Sequence, residues 1–154
     1  MRTVKSFVKR NGRITTGQVF ALKKMWCKFG INYTEKILDL KKLFGNQSPV
    51  HIDIGFGDGN ALIIEAERNP ETNFIGIEVH RPGIGRCLME IKKKQLSNIL
   101  ISSHDAQEVM KSQIKDDSLD RINLYFPDPW PKKRHHKRRI IQTEFSNLCA
   151  KKLK

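Results

Sequence analysis

Cysteine is scarce in this chain, and its three copies do not pair. Cys27, Cys87 and Cys149 are far apart and none lies in a CxxC step. That pattern offers neither a disulfide framework nor a cysteine zinc site, and a reducing cytoplasm is the expected setting. The five histidines show no ligand spacing, since His135 and His136 are adjacent and would point in different directions, so no metal is expected. No apolar run is long enough to span a bilayer, and no signal-type apolar core opens the chain. Acidic side chains are also few, 16 against 29 Lys and Arg, giving a net charge of +13.

That shortage of acids is confined to the two ends. Residues 1–47 carry eleven Lys and Arg against two acids, and residues 130–154 carry nine against one. Residues 48–129 reverse the balance, with nine basic side chains against thirteen acids. An acidic centre between two basic ends suggests a polyanionic partner held around a different central site. An anionic membrane would call for a basic amphipathic helix, and the basic run at 132–139 lacks the apolar face for it. A chain of 154 residues suits one domain. Residues 1–32 lack a clean period and read as a basic arm, mostly irregular and flexible until it meets a partner. Within it, Thr15 to Gln18 can open a short helix carrying Phe20, Leu22 and Trp26. Residues 33–154 read as one α/β domain, and nothing in the pattern decides its oligomeric state.

A helix is predicted from Thr34, with Ile37, Leu38, Leu40, Leu43 and Phe44 apolar and Gly45 as its stop. Residues 50–56 then read as a core strand, followed by Gly55-Phe56-Gly57-Asp58-Gly59 and a helix over 60–68. Strand, glycine loop and helix in that order bring backbone close to a ligand. The loop is GxGxG and not the dinucleotide pattern GxGxxG, because Asn60 stands at the third glycine, so a pyrophosphate is poorly supported. Asp53 adds a carboxylate at the mouth of the loop. Residues 74–79 form a second strand ending near Glu78, 23 residues after Gly55, where ribose hydroxyls are bound in nucleoside-binding sheets. Pro82 opens a helix with Ile84, Cys87, Leu88 and Ile91 on one face. Lys92 to Lys94 fall in its last turn, where cations are favoured. A third strand ends near Asp105, and a last amphipathic helix follows Ile140.

The fourth strand, residues 121–126, leads into Pro127-Asp128-Pro129-Trp130-Pro131 and then Lys132-Lys133-Arg134-His135-His136-Lys137-Arg138-Arg139. Three prolines exclude helix and central strand there, so Asp128 is held on a stiff turn. Trp130 offers a flat face for a base, and Lys132, Arg134, Lys137, Arg138 and Arg139 suit a phosphate backbone. Repeated strand and helix imply a parallel sheet covered on both faces. Asp53, Glu78, Asp105 and Asp128 would line its carboxyl rim. Four carboxylates repel phosphates and suit a cationic nucleoside, which favours S-adenosylmethionine over NAD, ATP or CoA.

Taken together, Asp53 to Gly59, Gly76-Ile77-Glu78-Val79-His80, His104-Asp105-Ala106 and the stretch from Phe126 to Arg139 resemble the single-subunit bacterial tRNA (guanine-N7)-methyltransferases. The resemblance implies a class I, Rossmann-like methyltransferase fold that uses S-adenosylmethionine on a variable-loop guanine of tRNA. It implies that Asp53, Gly55, Gly57, Gly59, Glu78, Asp105 and Asp128 bind or border the cofactor, that Asp128 is catalytic, and that Lys132 contacts tRNA. Family members carry Glu where Asp53 stands, which keeps the charge and shortens the reach. They also continue with further strands and a Thr-Lys/Arg-Phe-Glu segment, so the expected sheet is incomplete at the C-terminus. Two other readings are an RNA-binding chain without catalysis and an NAD-dependent oxidoreductase.

Overall fold

In the computed structural model, which describes residues 12–154, five parallel strands form one sheet in the order β1-β4-β3-β2-β5. The elements in chain order are α1 (Thr16–Lys24), α2 (Trp26–Phe29), β1 (Gly30–Ile31), α3 (Leu40–Phe44), β2 (Val50–Ile54) and α4 (Asn60–Arg68). They continue with β3 (Asn73–Ile77), α5 (Arg81–Lys93), β4 (Ile99–Ser102), α6 (Ala106–Ser112) and β5 (Arg121–Leu124). A 3-10 helix (Lys133–Arg138) and α7 (Thr143–Lys152) complete the chain.

Side-chain alternation along the strands divides the core in two. On one face, Phe74, Ile99 and Ile101 meet Leu62, Ile63 and Ala66 of α4 and Ile84, Cys87, Leu88 and Ile91 of α5. On the other, Val50, Ile52, Ile54, Ile75 and Ile77 meet Val109 and Met110 of α6 and Phe145 of α7. Burial on both faces explains why these strands read as nearly continuous apolar runs, as parallel strands do.

The short helix expected from Thr15 to Gln18 is present, but residues 12–32 pack on the domain and are not a loose arm, while residues 1–11 lie outside the described residues. Thr15 and Gln18 form a reciprocal capping box: the Gln18 N–H donates to Thr15 Oγ1 at 3.2 Å, and the Thr15 N–H donates to Gln18 Oε1 at 2.9 Å. The helix they start buries Ala21 completely and lies on α5, where Gly85 leaves room for Gln18. Gly30 fits beneath the Trp26 ring, and β1 then pairs with β4 at the sheet edge. A two-residue strand has too few positions to show a period, so β1 left no signal in the sequence.

The helix expected from Thr34 begins only at Leu40. The Leu38 N–H instead donates to the Gln113 carbonyl at 2.8 Å, and Asp39 caps the shorter helix by accepting from the Lys42 N–H at 3.0 Å. Gly45 ends it in the left-handed region, φ 71°, as anticipated.

Candidate active site at the carboxyl edge of the sheet

The chain runs outward from β2 to β3 to β4 and then returns to place β5 against the other side of β2. That reversal puts the topological switch point between the carboxyl ends of β2 and β5, the position at which open α/β sheets bind ligands. The glycine loop leaves β2 on one side of it, and residues 125–131 leave β5 on the other.

The glycines of the loop have different jobs. Gly55 and Gly57 adopt φ 72° and 63°, and a Cβ on either would have nothing within 4 Å, so both need glycine for conformation and leave open space. Gly59, at φ 84°, packs against α5: a Cβ there would lie 2.6 Å from Cys87 Sγ. Gly83 at the start of α5 is equally constrained, since its Cβ would meet the Gly57 carbonyl oxygen at 2.1 Å. Sequence spacing did not single out Gly83, because its partner is 26 residues away and meets it only when α5 docks. The buried Cys87 thiol is pushed up to about 12 by burial, with the Asp58 carboxylate adding to the shift, so it serves as packing and not as a nucleophile.

Glu78 ties this loop to the end of β3. Its carboxylate accepts from the backbone N–H of Gly57 at 2.8 Å, Val79 at 2.7 Å and His80 at 2.9 Å. A carboxylate has about four acceptor positions, so three amides orient the group and leave capacity for a hydroxyl. Asp58 occupies the start of α4, where its carboxylate accepts from the Asn60 N–H at 3.2 Å and faces Arg86 at 3.4 Å. A helix N-terminus already holding a carboxylate is a poor seat for a pyrophosphate. This disfavours the NAD reading.

Asp53 lies one step inside the rim, level with Gly76 and Asn123, on the face covered by α4. It is 4% exposed, and burial raises its pKa to about 6. The carboxylates of Glu65 and Glu78 push the same way, while Arg121 opposes them. Such a buried acid gains from a cationic ligand group. Its neighbour Asn123, 7% exposed, was missed by the sequence reading, although a polar residue in an otherwise apolar strand was a signal. Asp105 caps α6, accepting from the Gln107 N–H at 2.8 Å. Beside it, Tyr33 stacks on His104 with ring centroids 3.7 Å apart, and His104 also contacts Glu108. This pair was invisible in the sequence because only the β1–β4 pairing brings Tyr33 there.

Asp128 is exposed on the turn after β5. Two residues of that turn, Phe126 and Trp130, are left-handed with φ 47° and 42°, a conformation that is strained for aromatic side chains. Phe126 is 98% exposed. The basic run winds into the 3-10 helix. That winding presents Lys132, Lys133, Arg134 and Lys137 outward. It turns Arg138 over the Trp130 ring, 5.2 Å from its centroid, and His135 edge-on to that ring at 5.7 Å. The Arg139 Nε donates to the Pro129 carbonyl at 2.9 Å. Of the basic residues expected to meet substrate, Arg138 and Arg139 are thus directed at the protein's own turn.

Sheet order and glycine loop define the Rossmann-like fold of class I methyltransferases. Among solved structures, an antibiotic-related methyltransferase superposes over 80% of this chain and 60% of its own, with a TM-score of 0.58 at 22% identity. A Rickettsia typhi protein in complex with AdoHcy superposes over 82% of this chain and 24% of its own, with a TM-score of 0.54 at 20% identity. The family model described as "Putative methyltransferase" matches residues 47–154, and the chain belongs to that family. It is also similar to the tRNA (guanine-N(7)-)-methyltransferase of Vibrio vulnificus (strain YJ016), 50% identical over 153 residues and 99% of this chain. The chain spans 64% of the length of that relative.

Proposed function

We propose that this chain transfers a methyl group from S-adenosylmethionine to N7 of a guanine in tRNA, the variable-loop guanine by family resemblance, in the cytoplasm. The observation that carries this reading is the switch point between β2 and β5. There the open glycine loop and the turn bearing Asp128, which leads into the basic 3-10 helix, leave the carboxyl ends of neighbouring strands. The similarity to a tRNA (guanine-N(7)-)-methyltransferase supports the choice of substrate.

The residues suit a phosphate-free, cationic nucleoside. Glu78 retains acceptor capacity for ribose hydroxyls, Asp53 faces the side where an α-ammonium gains most, and Asp105 closes the rim beyond β3. S-adenosylmethionine supplies an electrophilic methyl on a sulfonium. Guanine N7 carries a lone pair and no proton, so the protein need not provide a general base. Its work is alignment and negative potential beside a ring that gains positive charge. Asp128 accepts from guanine N1–H and the exocyclic amine and so fixes the base in line. Lys132, Lys133, Arg134 and Lys137 hold the phosphate backbone, and the nucleotide swings out of its stack to reach the rim.

Asp128→Ala tests the assignment. Methyl transfer, read by mass spectrometry of tRNA nucleosides, is expected to fall by at least about 100-fold, with tRNA affinity and calorimetric S-adenosylmethionine binding nearly unchanged. Turnover retained in that variant rules out the role of Asp128. Steeply salt-dependent tRNA binding with no methyl product in the unaltered chain supports the binding-only reading.

A further inference from the structure

The strained turn that carries Asp128 is held by a side chain that sequence reasoning assigned to RNA. Phe126 and Trp130 flank Asp128 in left-handed backbone conformations, and such conformations persist only where the surroundings over-determine them. The prolines at 127, 129 and 131 fix φ at their own positions and contribute no backbone N–H, so the turn cannot brace itself with hydrogen bonds from those residues. Its carbonyls are gripped from outside. The Arg139 Nε donates to the Pro129 carbonyl at 2.9 Å, and Nη2 makes a longer contact of 3.5 Å with the Trp130 carbonyl. The guanidinium thus spans two successive carbonyls just after Asp128. Arg139 is itself held by the end of the 3-10 helix. Its N–H donates to the His136 carbonyl at 3.0 Å, and Gln142 Nε2 donates to the carbonyls of His136 and Arg139 at 3.0 and 3.1 Å.

We infer that Arg139 is a positioning residue for Asp128, and that it acts through the Pro129–Trp130 backbone and not by contact with phosphate. The inference rests on the methyltransferase reading for its catalytic consequence, and on the turn geometry alone for its structural one. Arginine is required because its planar fork reaches two acceptors at once, whereas a lysine ammonium is a flexible point charge. Arg134, exposed in the first turn of the 3-10 helix, retains the phosphate role.

The experiment compares Arg139→Lys, Arg139→Ala and, as control, Arg134→Gln, each in a Trp26→Phe background so that Trp130 is the sole tryptophan and is excited selectively over Tyr33 and Tyr125. In both Arg139 variants, acrylamide quenching of Trp130 is expected to rise about twofold. The slope of log affinity for tRNA against log salt is expected to stay within about 0.3 of the parent, whereas a lost phosphate contact lowers it by roughly 0.7–0.9. Methyl transfer is expected to fall at least about 10-fold in kcat with KM for tRNA little changed, and lysine is not expected to rescue it. Arg134→Gln is expected to lower the slope and leave Trp130 quenching unchanged. Arg139 variants that lower the slope like Arg134→Gln while Trp130 stays as in the parent overturn the inference and return Arg139 to the phosphates. If the parent itself forms no methylguanine, the methyltransferase reading fails, and the quenching and slope measurements still decide whether Arg139 holds the turn.

Discussion

At the scale of single residues, Asp53 makes the most specific prediction. Its folded pKa of about 6 lies above the ordinary 3.8, so in the folded chain it keeps a proton that the unfolded chain has already lost. Between those values the native state binds more protons, and stability falls as pH rises from about 4 through about 6. The shift corresponds to about 3 kcal/mol at higher pH. Asp53→Asn is therefore expected to be more stable than the parent at pH 8, by up to about that amount, and no different at pH 4; urea titrations at the two pH values check it. S-adenosylmethionine affinity should move the opposite way. It should weaken in the parent as pH falls below about 6, because the ligand's cation needs the ionised carboxylate. Which carboxylates lie at or near the carboxyl ends of the strands was legible from residue type and spacing. That Asp53 is buried while Asp128 is exposed was not, because exposure depends on what the other strands and helices cover.

Among the elements, α1 was legible as a short helix from Thr15 and not as part of the folded unit. Its mean character is basic and weakly patterned, so composition pointed to an arm. Only the capping box in residues 15–18 and the fit of Gln18 over Gly85 show that it is part of the folded unit. A Cβ on Gly85 would lie 2.7 Å from the Gln18 Cβ and 3.0 Å from its backbone. Gly85→Val is thus expected to unseat α1 and destabilise the chain by about 1–3 kcal/mol. Hydrogen exchange should show lost protection over Thr16–Lys24 and little change in β2 or β3. The converse case is α4, predicted over 60–68 and observed there, because a glycine loop on one side and Asn69-Pro70 on the other leave it no freedom to slide.

For the molecule as a whole, charge is the property that tertiary structure sharpens. A net charge of +13 says only that polyanions are attracted. Winding residues 133–138 into a 3-10 helix turns Arg138 inward to Trp130 and leaves Lys132, Lys133, Arg134 and Lys137 exposed. Four phosphate contacts from those residues imply that tRNA affinity drops by about 100-fold between 50 and 200 mM salt. Binding of S-adenosylmethionine, held by buried and hydrogen-bonded acids, should change far less over that range. Filter-binding and calorimetric titrations at both salt concentrations check the contrast.

The sequence by itself determined the alternation of strand and helix, the glycine loop, the acids near the strand ends and the basic run. Each is a local pattern of residue type and spacing, and local patterns survive without knowledge of contacts. The tertiary structure alone decided that β5 lies beside β2, so that the turn bearing Asp128 and the glycine loop leave neighbouring strands. It alone decided that β1 and α1 join the folded unit, and that the side chains of Arg138 and Arg139 lie against the turn that carries Asp128. Those outcomes depend on pairs of residues far apart in the chain or on the direction in which a side chain is turned. Both are settled only when packing and backbone hydrogen bonds choose one arrangement for the whole.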